Sequence, residues 1–425
     1  MKSPFAIEKV RARSIYDSRG LPTIEVEVIS GSFSAHASAP AGVSKGRFEA
    51  HDLRDEEKAF GGMGVLKAVR AVNGPIHSEI KEMNALSQGE IDKALIALDG
   101  TPNKSKIGAN ALIATSMAVA RLGSMMQEKP LYQHIHDLLH SSKSSKGVTI
   151  PFPMITFVNG GKHAGSDLPF QEFSLEIPKA RTAEQALQMT SEIYQAFRSH
   201  IGKKFDVRST NVGENGGFAL PSKDVRMVLD TILESAKELG YEKQVKFGLI
   251  VAASHIRRKG LYHVEEKPLT HRQMVNYYAN LVADYPVSMI EDPFAEDDIP
   301  GFQGLMSRIG STHPIVGDDL LVSSPSRIKR VLDLKACNGL DIKPNQVGTV
   351  SETLEAISLA REAKWTLVVS DRAGETDDTF ITDLAVGANA HYLKAGSLSR
   401  MERVVKYNRL LRIEEELGKN AAMVR

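Results

Sequence analysis

The spacing of apolar and polar residues changes along this chain, and the predicted elements change with it. Near the amino terminus Ile24, Val26 and Val28 alternate with Glu25 and Glu27, the two-residue period of a half-buried strand. Residues 109–126, ANALIATSMAVARLGSMM, are apolar on most faces and predict a packed helix. The polar, low-complexity stretch SSKSSKG at 141–147 is a candidate linker. Beyond it, helical segments alternate with the short apolar runs KFGLIVAAS, VSMIEDPF, PIVGDD, GLDIKPNQ, WTLVVSD and HYLKAG. Thr182 with Gln185, and Thr270 with Gln273, have capping-box spacing, which predicts helix starts at both places. The alternation predicts a parallel sheet, and the number of units favours a closed barrel over an open sheet.

Composition narrows this picture. The 425 residues fit two domains, because an α/β barrel absorbs about 250 residues as one unit. Lys and Arg total 53 against 52 Asp and Glu, so no global field favours nucleic acid or an anionic membrane, though a local cluster can still bind a small anion. No apolar run reaches the roughly 18 residues of a membrane span, and the mixed-charge amino terminus does not read as a signal peptide; cytoplasmic residence is the expectation. The single cysteine, Cys337, is expected to be a buried structural thiol at a helix end.

Charge position is the stronger signal. Glu291, Asp318, Lys343, Asp371 and Lys394 each close one of the apolar runs, about 23 to 28 residues apart, the length of one strand plus one helix. All five are therefore predicted on the carboxyl-terminal rim of the barrel, where such folds place their catalytic groups. Two neighbouring acids, Glu291 and Asp318, suit a hard cation such as Mg2+. Lys343 and Lys394 leave apolar strands, where desolvation favours a neutral, basic amine unless nearby carboxylates oppose it. A base of this kind, with a metal ion to stabilise an enolate, suits proton abstraction beside a carboxylate. Upstream, STNVGENGG at 209–217 reads as a strand-like run ending in glycines that bring backbone close to a ligand, with Glu214 and Asn215 at the turn.

Several motifs are specific enough to name a family. YDSRGLPTIEVEV, PAGVSKGRFEAHDLRD, NGGKHAG, IEDPFAEDD, KPNQVGTVSET, SDRAGETDDTFITDLAVG and LLRIEEELG occur in order, and by them the chain resembles the enolases over nearly all its length. The resemblance implies an α/β architecture: a smaller α+β domain over 1–140, then an enolase-type (β/α)8 barrel over 141–425. It also implies dependence on Mg2+, a small phosphorylated carboxylate as ligand, no nucleic-acid or membrane partner, and a homodimer or higher homo-oligomer. Enolase-superfamily sites pair a lysine or histidine base with one or two magnesium ions. By the same resemblance Lys343 is the base, and Lys394 and Arg372 bind substrate. Glu291 and Asp318 are metal ligands, and Ser44 closes with a second ion. His163 and Glu172 line the acid side.

Several positions depart from the family pattern. GENGG stands for GDEGG, so Asn215 occupies the place of the proton-donating glutamate, with Glu214 one residue earlier as a candidate substitute. Ile250 replaces the third metal-binding aspartate, and His255 a later glutamate. SDRAGET stands for SHRSGET, which puts Asp371 where the family has histidine and Ala373 where it has a phosphate-contacting serine. These departures raise three readings. The first is altered chemistry on a phosphorylated or phosphonylated carboxylate, with phosphonate biosynthesis and an enolpyruvate-forming transferase as candidates. The second is an ordinary enolase with Glu172 or Glu214 as substitute acid, and the third a non-catalytic scaffold of enolase fold.

Overall fold

The computed structural model describes residues 4–43, 45–140, 147–161, 164–265 and 267–425. Ser44, His163 and most of the candidate linker, 141–146, lie outside the described residues.

The alternation at Ile24, Val26 and Val28 becomes the middle strand, Pro22–Ser30, of a three-stranded antiparallel sheet with Lys9–Tyr16 and Phe33–Ser38. Its three apolar side chains are fully buried, because Ala109–Met126, the predicted packed helix, lies across that face.

Downstream, the strands form a ring. Lys246–Ile250, Val287–Glu291, Ile315–Gly317, Gly339–Ile342, Thr366–Ser370 and Tyr392–Lys394 pair in parallel in sequence order. Glu172–Glu176 joins Lys246–Ile250 antiparallel on one side and Ile155–Asn159 antiparallel on the other. Phe152–Pro153, separated from Ile155–Asn159 by Met154 alone, pairs with Tyr392–Lys394, so the pairing returns to its start. Glu172–Glu176 thus runs against its neighbours in an otherwise parallel barrel. Inside the ring Met154, Met289, Val316 and Val368 form their own apolar plug.

Helix starts follow the capping signals. Thr270 makes the full box with Gln273. Thr182 accepts from the Gln185 amide at 3.0 Å, whereas the Gln185 side chain reaches back one residue further, to the Arg181 amide. Cys337 is buried as expected, and burial pushes its thiol up; it lies three residues past the helix Pro325–Leu334 rather than in its last turn. Among the described residues no helix is long and apolar enough to cross a membrane.

The two halves dock through polar contacts. Arg121 grips Asp378 with two nitrogens at 2.6 and 2.7 Å, and Lys104 reaches Glu352 at 2.9 Å. Asp92, buried in the first half, accepts from the Ser351 amide and hydroxyl. Partners of this kind hold their geometry because an unpaired charge at a buried seam is costly.

At the far end of the barrel from the rim, burial pushes the Glu176 carboxyl up to about 7, although the Tyr392 hydroxyl donates to it at 3.2 Å. A carboxyl with a raised folded pKa contributes stability below its unfolded value and loses it as pH climbs through the folded one. Glu176→Gln is therefore expected to match the wild type near pH 4.5 and to exceed it increasingly up to pH 7, by at most about 3 kcal/mol. Urea melts across that range read the difference.

Candidate active site

The rim charges arrive where strand ends put them. Glu291 and Lys394 end their strands, and Asp318, Lys343 and Asp371 directly follow theirs. All five line one cleft together with Glu172, Asn215, Ile250, Arg372 and Ala373. Around the ring Glu172 lies four strands from Lys343 in either direction, so the two face each other across the barrel mouth.

On the lysine side the charges interlock. Lys343 Nζ donates to Asp318 Oδ2 at 2.5 Å, and Lys394 Nζ donates to both Glu291 oxygens at 2.5 and 2.7 Å. A third carboxylate, Asp341, lies between them, its Oδ2 3.2 Å from each ammonium nitrogen. Burial alone would pull Lys343 down, but Asp318, Asp341 and Glu291 outweigh it and hold the lysine well above its ordinary value. Lys394 is raised in the same way, against burial, by Asp341 and Glu291. Burial would raise Asp318, yet the Lys343 and Lys394 ammonium groups keep it down at about 2. Asp292, held at φ 42° at the turn after Glu291, accepts from the Asp318 and Asp319 amides and so fixes the turn that presents Asp318.

These groups fit a hard cation. Oxygens of Glu291, Asp318 and Asp341 all lie within 4.8 Å of one another, and the donor set is carboxylate throughout. Asp341 escaped the sequence reading, although its signal was present. In GLDIK it stands on the strand Gly339–Ile342, two residues before Lys343, the spacing that puts two side chains on one face of extended chain.

Arg372 is already partnered by the protein itself. Arg372 Nη2 donates to both oxygens of Glu49, at 2.9 and 3.1 Å, from a loop of the first half. Gly42 passes so close that a Cβ there would lie 1.8 Å from the same nitrogen. Arg372 Nη1 is buried and finds no hydrogen-bond partner.

Across the cleft, the Glu172 carboxylate accepts from Thr156 Oγ1 at 2.8 Å and from the Asn215 amide at 2.5 Å. Glu214 is not among the cleft residues. Burial raises its carboxyl, and Arg19, Arg403 and Arg400 are the charges that oppose the rise. The glycines after it approach backbone rather than a ligand: at Gly216, φ +83°, a Cβ would lie 2.6 Å from Ser399 O, and at Gly217 2.9 Å from Asn159 N. Nor is the run before them a strand, since Val207–Thr210 is a single turn of 3₁₀ helix. His255 lines a neighbouring cleft, which meets this one at Gln171.

Asp371 does not stand free beside Arg372. Arg403, fully buried, donates to its Oδ2 at 2.5 Å and also to the carbonyls of Arg372, Ala373 and Glu214. Burial still pushes the Asp371 carboxyl up, to about 6. One guanidinium thus ties the turn at 213–217 to the turn at 371–373. Arg403→Met is expected to cost about 3–5 kcal/mol by stranding a buried carboxylate and three carbonyls. Adding Asp371→Asn should recover part of that loss in denaturant melts.

Comparison with known proteins adds the following. The family model described as "Enolase, N-terminal domain" matches residues 7–135, and "Enolase, C-terminal TIM barrel domain" matches 147–424. A protein named enolase from Methanocaldococcus jannaschii is 45% identical over 419 residues, covering 98% of this chain and 97% of the relative. One of the same name from Methanosarcina acetivorans is 42% identical over 422 residues, covering 99% and 96%.

Proposed function

The chain belongs to the enolase family, and from that premise we propose that it is a magnesium-dependent hydro-lyase for 2-phosphoglycerate or a close relative, with Lys343 as base and Glu172 as acid. The observation that carries this reading is the opposition of Lys343 and Glu172 across one cleft. An elimination needs a base at the carbon that loses its proton and an acid at the departing oxygen, and two groups facing each other across a bound ligand meet both needs.

Lys343 takes the C2 proton. Glu291 and Asp318 would hold a magnesium ion, which would supply positive charge for the enolate. Arg372, with one buried nitrogen unpartnered, receives the phosphoryl group, and Lys394 the substrate carboxylate. Glu172 delivers its proton to the hydroxyl, which leaves as water. The Asn215 amide has no acidic proton to give; its contribution is the hydrogen bond that orients Glu172. This assignment favours Glu172 over Glu214 as substitute acid, because Glu214 stands outside the cleft.

A second reading rests on Asn215 and Ile250, neutral groups at the places of an acid and a metal ligand: the site forms the enolate but does not expel hydroxide. No comparison points to phosphonate chemistry or to a transferase, and a scaffold role has only the closed ion pairs of the mouth in its favour. The homo-oligomer stays a proposal for light scattering to check.

NMR in deuterated water with 2-phosphoglycerate and magnesium separates the readings. Phosphoenolpyruvate is expected from the wild type. Lys343→Ala should lose both product and C2 exchange, whereas Glu172→Gln should keep exchange and lose about 10²- to 10⁴-fold in product formation. Wild-type exchange without product would favour the second reading, and neither signal would favour the scaffold.

A further inference from the structure

Asp341 occupies a position that should be apolar. Met289 precedes Glu291 by two residues and Val316 precedes Asp318 by two, and both belong to the apolar plug inside the barrel. Asp341 precedes Lys343 by the same two residues and pairs in register with Val368, another member of that plug. It is nevertheless a carboxylate, fully buried, and neither of its oxygens accepts a hydrogen bond. Ile250 shows the converse. It pairs in register with the metal-candidate Glu291 and lines the cleft, yet offers no ligand atom.

We infer that Asp341 supplies the third carboxylate of a divalent-cation site with Glu291 and Asp318, in place of the ligand that Ile250 cannot provide. The inference rests on the proposed use of a cation in this cleft, and it moves one ligand from the strand Lys246–Ile250 to the floor beneath Lys343. Three independent features support it. The three carboxylates lie within 4.8 Å of one another. Three carboxylates crowd around two ammonium groups, so the cluster holds one more acid than it has ammonium partners. Finally, the Asp341 oxygens are directed into the cluster and are not used by any backbone or hydroxyl donor, whereas the buried Asp92 accepts from Ser116, Ser351 and Gln88. A carboxylate that served only local structure would be satisfied as Asp92 is.

Mn2+ binding to the full chain, followed by the loss of free-ion EPR signal without substrate, tests the assignment. Asp341→Asn is expected to weaken Mn2+ at least about tenfold, a loss that even removal of an outer-shell partner produces. Asp341→Leu should lose the ion as well, and Ile250→Asp in that background should restore it. Asp341→Cys should shift preference toward Cd2+ and give a thiolate-to-metal absorption band, because a soft sulfur ligand selects a softer ion. Affinity in Asp341→Asn within about twofold of wild type, no band in Asp341→Cys, or no Mn2+ bound by the wild type at millimolar concentration would each overturn it. Circular dichroism confirms that each variant is folded. If Mn2+ binding behaves as expected while the wild type yields no phosphoenolpyruvate, the metal site stands and the hydro-lyase reading falls.

Discussion

Two lysine ammonium groups buried in one barrel mouth impose the constraint on which the rest of the site depends. An isolated charge in such a place is too costly to keep, so each ammonium needs carboxylates at contact distance. The barrel meets that need from separate strands: Asp318 and Glu291 from the rim, and Asp341 from the floor between the lysines. The consequence is a mouth in which Lys343 is raised and Asp318 lowered, while burial and the neighbouring Asp341 push the Glu291 carboxyl up to about 8. Any ligand must enter by exchanging these pairs for its own.

The same logic extends outward. Arg403 unites two neighbouring turns beside the cleft and pairs with Asp371, so that carboxylate becomes a structural anchor. Glu49 brings the first half of the chain onto Arg372, and Gly42 gives the guanidinium room to lie against the backbone. The polar seam between the halves, through Arg121, Lys104 and Asp92, fastens the first half to the barrel alongside that contact.

Departures from the family pattern change character in three dimensions. Asn215 is not a vacancy on the acid side; it holds Glu172, the carboxylate that remains there. Glu214, adjacent in sequence, is directed elsewhere, because neighbouring residues in a tight turn project to different sides. Ile250 removes a ligand atom from one strand, and Asp341 adds one on another, three strands away around the ring.

Periodicity and strand-end charge were sufficient to read the barrel and its five rim charges, whereas Glu172, Arg372, Ile250 and the role of Asn215 were reached only through the family resemblance. The buried alternation at Ile24, Val26 and Val28 and the capping threonines are local signals, and local geometry obeys them. The five rim charges were legible because one strand plus one helix has a nearly constant length, so regular spacing implies a common edge. Asp341, Glu49 and Arg403 were not read. Asp341 looked like one polar residue in a strand, and the other two approach the cleft from about 300 residues or from a helix away, where spacing carries no information. Residue types and their order determined the fold and which edge of it carries chemistry. Which charges neutralise which was decided only by ring closure and by docking of the first half, because pairing energy depends on distance and burial, and neither exists until the chain is folded.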